Sequence, residues 1–343
     1  MNKHTIVGID LAKNIFQVAT LNHHRKITQN QPLKRDQLLS FIAQLPPCLI
    51  AMEACGSAHY WARQAQAAGH HVKLIPPTFV KGFVTGNKND ANDAKAIAIA
   101  ASHHESPTAQ VKSPQQLAFQ ATLRVRQRRV DQRTACANQI RGLLAEHGVI
   151  LPIGLHQIRN LDTDTLPQPI RNLISSVIEE FKLAEHYLRI IDQQIQQLIL
   201  SHPVARRLNT IPGFGPLNIL AALTLCPEDF RNGRHYAAYL GLVPKQNGTG
   251  GKIRLLGISK RGNPYHRQLL CHGARAALCR SNRPNDNLIL WARRIQARKG
   301  TNVAVTALAN KLARISWAVI NDGTYAPDKA AANPIRQKTM SPS

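Results

Sequence analysis

The sequence predicts an α/β domain at the N-terminus, followed by a long helical arm and a mainly helical C-terminal region. Three observations carry this expectation. Residues 4–75 alternate short β-rich runs with helical runs, apolar residues recur in steps of three and four between Leu173 and Leu198, and from about Leu208 the composition changes again, with two helix-like runs around a Gly-apolar-Gly turn at residues 209–223. Alternating strands and helices pack as a sheet covered by helices, whereas three-and-four spacing is the seam of paired helices.

Taken in order, Thr5 to Ile9 and Phe16 to Leu21 read as a hairpin that opens on Asp10, joined by a polar turn through Ala12 to Asn14. A short third strand is expected around Arg25 to Thr28, then a helix near Leu33 to Leu45 that stops before Pro46 and Pro47. The run "CLIAME" is a compact apolar strand ending on Glu53, followed by a helix from Ser57 to Ala68 and a strand from His71 to Ile75. That order is an α/β pattern with one antiparallel edge.

Residues Gln115 to Glu146 read as one long helix carrying Arg124, Arg126, Arg128, Arg129, Arg133 and Arg141, either as a solvated face or as a face that tracks phosphates. Loop-like composition from Gly148 to Pro169 ends it. The seam of Leu173, Val177, Phe181, Ala184, Leu188, Ile191, Ile195 and Leu198 suits an antiparallel hairpin or an intersubunit coiled coil, and one face of a core helix has the same spacing. The tail after Tyr325 is rich in Pro, Ala and Lys without periodicity and reads as disordered. The expected division is 1–148, an α/β domain with a trailing basic helix; 149–202, a linker and coiled-coil arm; 203–326, a C-terminal domain; and 327–343, the tail.

The 343 residues carry 44 Lys and Arg against 19 Asp and Glu, a net charge of +25, which draws a protein toward a polyanion, with nucleic acid first among candidates. Residues 202–343 hold 22 of the basic residues and only 5 of the acidic ones. No run of about 18 consecutive apolar residues suggests a membrane span, and the chain enters a strand almost at once, so a soluble, cytoplasmic, nucleoid-associated protein without a membrane partner is expected. The six cysteines form no C-x-x-C pair and the histidines no H-E-x-x-H, which argues for reduced thiols and against a zinc site.

The stretch "VTGNKNDANDAKAIAIAAS", residues 84–102, puts Asp90 and Asp93 three apart at the mouth of an alanine-rich helix. Helix capping by Asn89 or Asp90, worth about 0.5 to 2 kcal/mol, accounts for any single carboxylate there. If this helix crosses the strand ends, however, Asp10, Glu53, Asp90 and Asp93 converge. Two Mg²⁺ ions about 3.5 to 4 Å apart would neutralise such a set and serve a phosphodiester displacement. "GIDLAK" also matches the opening of the phosphate hairpin of actin-like ATPases and sugar kinases, but the Gly213 to Gly215 pair lies in a basic helical context that suits ATP poorly.

Two further stretches carry candidate chemistry. "NTIPGFGPLNILAAL", residues 209–223, is similar to a helix-hairpin-helix element, in which backbone N–H groups after Gly213 and Gly215 hold a DNA phosphate; a plain helix-helix turn has the same composition. Further on, Gly248, Gly250 and Gly251 surround Thr249 on what reads as a flexible loop, with Lys252, Arg254, Lys260, Arg261 and Arg267 after it. An exposed hydroxyl beside cations suits a nucleophile for phosphodiester chemistry, but a basic glycine loop that only contacts phosphates is the first reading of these residues taken alone.

Taken together, "VGIDLAK", "AMEACGSAHYWAR", "NKNDANDAKAIA", "IPGFGP", "YLGLVPKQ", "TGGK" and "LGISKRGNPYHRQLL" resemble, in order and over nearly the full chain, the DEDD-type insertion-sequence transposases of the family numbered one-ten, subgroup eleven-eleven, alongside the Piv-like DNA invertases. The resemblance implies a RuvC-like, RNase H-type N-terminal domain whose D-E-D-D set falls on Asp10, Glu53, Asp90 and Asp93, then a helical arm and a C-terminal transposase domain. It further implies a Mg²⁺-dependent recombinase guided by a bridge RNA, acting on DNA as dimers that pair into tetramers. A hydroxyl of the C-terminal domain forms a covalent DNA intermediate. That hydroxyl is usually a serine, and the matching position here is Thr249. The alternatives are a RuvC-like junction nuclease with water as nucleophile and a non-catalytic nucleic-acid binder.

Overall fold

The computed structural model describes residues 5–87, 89–225, 230–280, 285–321 and 323–327. Cys226 and all but the first residue of the expected tail lie outside them. The chain divides into two compact units, 1–114 and 115–343.

The first unit is a five-stranded sheet of order β3-β2-β1-β4-β5, formed by β1 (Ile6–Asp10), β2 (Ile15–Leu21), β3 (Ile27–Lys34), β4 (Leu49–Glu53) and β5 (His71–Ile75). Strand β1 pairs antiparallel with β2 and parallel with β4, and β4 pairs parallel with β5. Strand alternation sorts the side chains. Val7, Ile9, Phe16, Val18, Ile50 and Met52 form one core with α1 (Leu38–Gln44) and α2 (Ala58–Ala67). Ile6, Leu21, Ala51 and Ile75 form the other with α4 (Asp90–Ser102), which follows the short α3 (Pro77–Val80) and a single 3-10 turn.

The third strand is longer than expected and takes in residues 33 and 34, so the first helix begins only at Leu38. Pro32 sits inside it because β3 is an edge strand, where a missing N–H leaves no internal bond unmade.

In the second unit, α5 (Pro114–Ala145) and α7 (Ile170–Ser201), flanking the short α6 (Leu155–Arg159), run antiparallel. Arg126 pairs with Asp192, Arg129 lies over Tyr187, Arg133 reaches Glu185 and Cys136 lies near Glu180, so one helix rises as the other falls. At about 1.5 Å per residue each 32-residue helix spans roughly 48 Å. The buried seam of α7 is Ile174, Ile178, Phe181, Ala184, Leu188, Ile195 and Ile199. It differs from the sequence reading at both ends, where Ile174 and Ile178 replace Leu173 and Val177 and Ile199 replaces Leu198; Leu173 is exposed.

The C-terminal core is built by α8 (Pro203–Leu208), α9 (Pro216–Leu223), α10 (Gly233–Tyr239), α11 (Pro264–Arg280), α12 (Asn287–Lys299) and α13 (Thr301–Ile320). Among the described residues α13 alone is long and apolar enough to cross a membrane, which the run-length reading missed because Lys311 and Arg314 interrupt it. Its Ala304, Val305, Leu308, Ala309 and Leu312 are core residues packed against α8, α10, α11 and α12. A two-stranded hairpin, β6 (Pro244–Thr249) and β7 (Lys252–Ile258), leaves this core almost wholly exposed.

Candidate active site

Asp10 and Glu53 close neighbouring parallel strands, and period-two alternation turns both toward the face that α4 covers. On β1 that face carries Ile6 and Gly8, and on β4 it carries Ala51. The register Ile9 to Met52 makes Asp10 and Glu53 neighbours across the ladder. Helix α4 lies flush on the sheet because residue 8 has no side chain: a Cβ there would stand 2.6 Å from the Ala94 carbonyl oxygen and 2.6 Å from the Ala98 nitrogen. The alanines of α4 are the matching condition on the helix side, and Ala94, Ala98 and Ala101 are fully or almost fully buried.

The helix start is held by amides. Asn89 is the N-cap, its Oδ1 accepting from the Asn92 N–H at 2.8 Å, so the capping role does not fall to Asp90 or Asp93. Asn30 Nδ2 donates to the Ala91 carbonyl at 2.9 Å, and Gln17 Nε2 donates to Asn30 Oδ1 at 2.7 Å. Gln17 is the cross-strand partner of Asp10. Sequence reading passes over Gln17 and Asn30; Gln17 has one signal, a polar amide in a strand, where such residues are depleted, and Asn30 has none because it lies beyond the expected third strand.

The carboxylates feel one another. Burial, then the charges of Asp93, Asp90 and Glu53, push the half-buried Asp10 carboxyl from 3.8 up to about 6, against a lowering hydrogen bond from the Leu11 backbone. Among the described residues no three His, Cys, Asp or Glu side chains gather tightly enough to hold one ion between them. The set is therefore electrostatically coupled without being a closed cage. Its all-oxygen donors and mutual repulsion fit a hard divalent cation.

Thr249 belongs to the second unit. It is the last residue of β6, exposed and paired with Lys252 across a two-residue turn in which Gly250 and Gly251 have φ of 57° and 79°. Two positive φ values in succession make the hairpin turn that suits strand twist, so the glycines build a defined hairpin rather than a flexible loop. Arg254 faces Asn247 on the same ribbon. Below it, Lys260 has φ of 56° and donates its backbone N–H to the Gly241 carbonyl, Arg261 is exposed, and Arg267 Nη1 donates to the carbonyls of Leu240 and Arg261.

The basic helix face divides. Arg124 and Arg128 are exposed, whereas Arg126 and Arg133 reach carboxylates of α7 and Arg129 lies 4.7 Å over the Tyr187 ring. Gly213 (φ 72°) presses on Gly273 of α11, where a Cβ would fall 2.2 Å from the Gly273 carbonyl oxygen. Gly215 is the N-cap of α9.

Comparison with known proteins gives the family. A DEDD-type transposase family model matches residues 7–148, and one described as the transposase IS116/IS110/IS902 family matches residues 205–288. A probable family 20 transposase of Pseudomonas aeruginosa is 43% identical over 94% of this chain and 98% of its own length. The chain belongs to the IS110 family of transposases. Also similar are the transposase for insertion sequence element IS1328 of Yersinia enterocolitica, 37% identical over 93% of this chain and 98% of that one, and the transposase for IS1111A of Coxiella burnetii, 36% identical over 92% and 89%. As an IS110-family transposase the chain acts on DNA, catalysing strand cleavage and strand transfer. Its N-terminal unit is of the RNase H-like kind, for which a divalent metal requirement is characteristic.

Proposed function

We propose that this IS110-family transposase is a Mg²⁺-dependent recombinase with a RuvC-like domain, in which Asp10, Glu53, Asp90 and Asp93 hold the metal and Thr249 Oγ1 attacks DNA. The observation that carries this is the Asp10 carboxyl, raised to about 6 by burial and by the charges of Asp93, Asp90 and Glu53, with Asp10 and Glu53 at the carboxyl ends of neighbouring parallel strands. Such repulsion is costly unless the carboxylates have cationic work to do. When bound, the metal supplies charge neutralisation at the scissile phosphate.

The chain's own residues do the rest. Asn89, Asn30 and Gln17 hold the start of α4 so that Asp90 and Asp93 face the strand ends. Thr249 Oγ1 forms a phosphate ester as a sugar oxygen leaves; the hydroxyl gives up its proton and the leaving oxygen gains one, so the exchange conserves phosphodiester energy. Lys252, beside Thr249 on the ribbon, and Lys260 and Arg261 at its base would balance phosphate charge. Exposed Arg124, Arg128 and Arg254, with Arg129 and Arg267, extend the basic surface for nucleic acid, and the turn at Gly213 and Gly215 adds backbone N–H groups at the start of α9. A bridge RNA guide, a homodimer pairing into a tetramer, and a nucleoid location complete the proposal.

The test is a trapping assay with the full-length transposase, Mg²⁺, element-junction DNA and RNA transcribed from the flanking DNA, run on a denaturing gel. A covalent adduct present in the native protein and Thr249→Ser, absent in Thr249→Ala and Asp10→Ala, is expected. Cleavage without an adduct, unchanged by Thr249→Ala, would mean that water is the nucleophile and would overturn the role of Thr249.

A further inference from the structure

Phe16, Tyr60, Trp61 and Arg35 form a stacked cluster on the α1/α2 face of the first unit, opposite the carboxylates. The Trp61 ring meets Phe16 and Tyr60 edge to face at 5.1 Å each, and the Arg35 guanidinium lies 5.6 Å from the Phe16 ring and 5.3 Å from the Trp61 ring. Arg35 is itself fixed, its Nη1 donating to the Lys13 carbonyl at 3.2 Å and its N–H to the Asn14 carbonyl at 2.9 Å. Beside this cluster opens a cavity of about 650 Å³, lined by Asn14, Lys34, Arg35, Asp36, Tyr60 and Trp61.

Two features of the cavity mark a ligand. Tyr60 is 44% exposed, a large aromatic left in solvent next to two cations. Lys34 and Arg35 line the same cavity with Asp36, so its wall sets donors for an anion beside an acceptor. A flat ring joined to an anion suits this wall: it stacks on Tyr60, offers a ring N–H to Asp36 and sets a phosphate beside Lys34 and Arg35. An unpaired nucleotide has that chemistry, whereas a duplex hides its base faces.

The location adds a purpose. Strand β2 begins at Ile15, paired with Lys34 and beside the end of β1, so the cavity shares its sheet rim with Asp10 and Glu53. Ligands of α/β sheets gather at the carboxyl ends of the parallel strands. We infer that this cavity is a subsite for one unpaired base of single-stranded DNA or RNA, anchoring a nucleic-acid strand at the rim that carries the catalytic carboxylates.

The test is equilibrium binding of the full-length protein to fluorescent oligo(dT) and oligo(rU), each about 12 nucleotides long, and to a blunt duplex of the same length. A chelator is present throughout, so the result is independent of metal and of the attacking group. Tyr60→Ala is expected to weaken binding of one or both single strands about 5- to 100-fold, with Tyr60→Phe close to native and duplex binding unchanged. Loss on oligo(dT) alone assigns the subsite to DNA, loss on oligo(rU) alone to RNA, and loss on both to either strand. Native affinity of Tyr60→Ala for both single strands, or an equal loss on duplex, would overturn the subsite.

Discussion

Gly8 of β1 and Ala98 of α4 are in backbone contact: a Cβ on residue 8 would lie 2.6 Å from the Ala98 nitrogen and 2.8 Å from its methyl carbon. This contact seats the helix on the sheet and so brings Asp90 and Asp93 to the end of β1. Gly8→Ala is expected to lift α4, lowering stability by about 1 to 3 kcal/mol and weakening Mn²⁺ binding measured by calorimetry. Gly56→Ala, where an added Cβ meets nothing within 4 Å, is the control and leaves both unchanged. Native-like melting and Mn²⁺ affinity in Gly8→Ala would refute the seating role.

Asp10 makes metal-free protein less stable than it would otherwise be. Its native carboxyl is raised from 3.8 to about 6, so the folded state binds the proton more readily than the unfolded one, and stability falls as pH rises through that window. Asp10→Asn removes the charge and is expected to raise metal-free stability at pH 7 by about 1 to 2 kcal/mol, a figure reduced for partial solvent exposure. At pH 4 the two proteins converge. With saturating divalent metal the order reverses, because only the native set gains binding energy. Thermal melts with and without metal read both halves.

Asn89 and the two aspartates have separate jobs. Asn89→Ala is expected to cost about 1 kcal/mol of stability, restored by Asn89→Ser. Asp90→Asn and Asp93→Asn are expected to leave stability within about 0.5 kcal/mol of native or above it, while abolishing strand transfer. If either aspartate variant melts like Asn89→Ala and keeps its activity, that residue is merely part of the cap.

The arm has its own pH signature. Hydrogen bonds from Arg159 Nε and Nη2, at 2.7 and 2.6 Å, hold the Glu185 carboxyl below its ordinary range, and the charges of Arg159, Arg133 and Arg189 add to this against its partial burial. A depressed carboxyl adds stability above its unfolded pKa and loses it as pH falls through the folded one. Glu185→Gln is therefore expected to lose about 1 to 2 kcal/mol at pH 7, and the gap should close in acid. A gap that is the same at pH 7 and pH 3 would argue against an ionic origin.

Local pattern was enough to read the strand ends and the long helices. Asp10 and Glu53 stand where strand periodicity and the following turn residues put them, and α5 and α7 lie within a few residues of their expected bounds. The edge strand β3 extends past its expected end at Thr28 and includes Pro32, which an edge strand tolerates because its unpaired side faces solvent. In sequence the hairpin carrying Thr249 reads as a loop, because its glycines look like flexibility until both are seen at positive φ.

The sequence by itself determined the basic charge, the α/β-then-helical order and the carboxylates at element ends, because these follow from composition and from periods of two and 3.6. Tertiary structure decided which arginines remain exposed, since Arg126, Arg129 and Arg133 are drawn to α7 while Arg124 and Arg128 are not. It also decided why particular glycines stand in the sequence motifs: Gly241 and Gly262 take positive φ where a Cβ would strike the Arg261 and Tyr239 carbonyls at 2.1 and 2.0 Å. Close approach between distant segments has no local signature, so only the folded chain distinguishes a glycine that packs from one that turns.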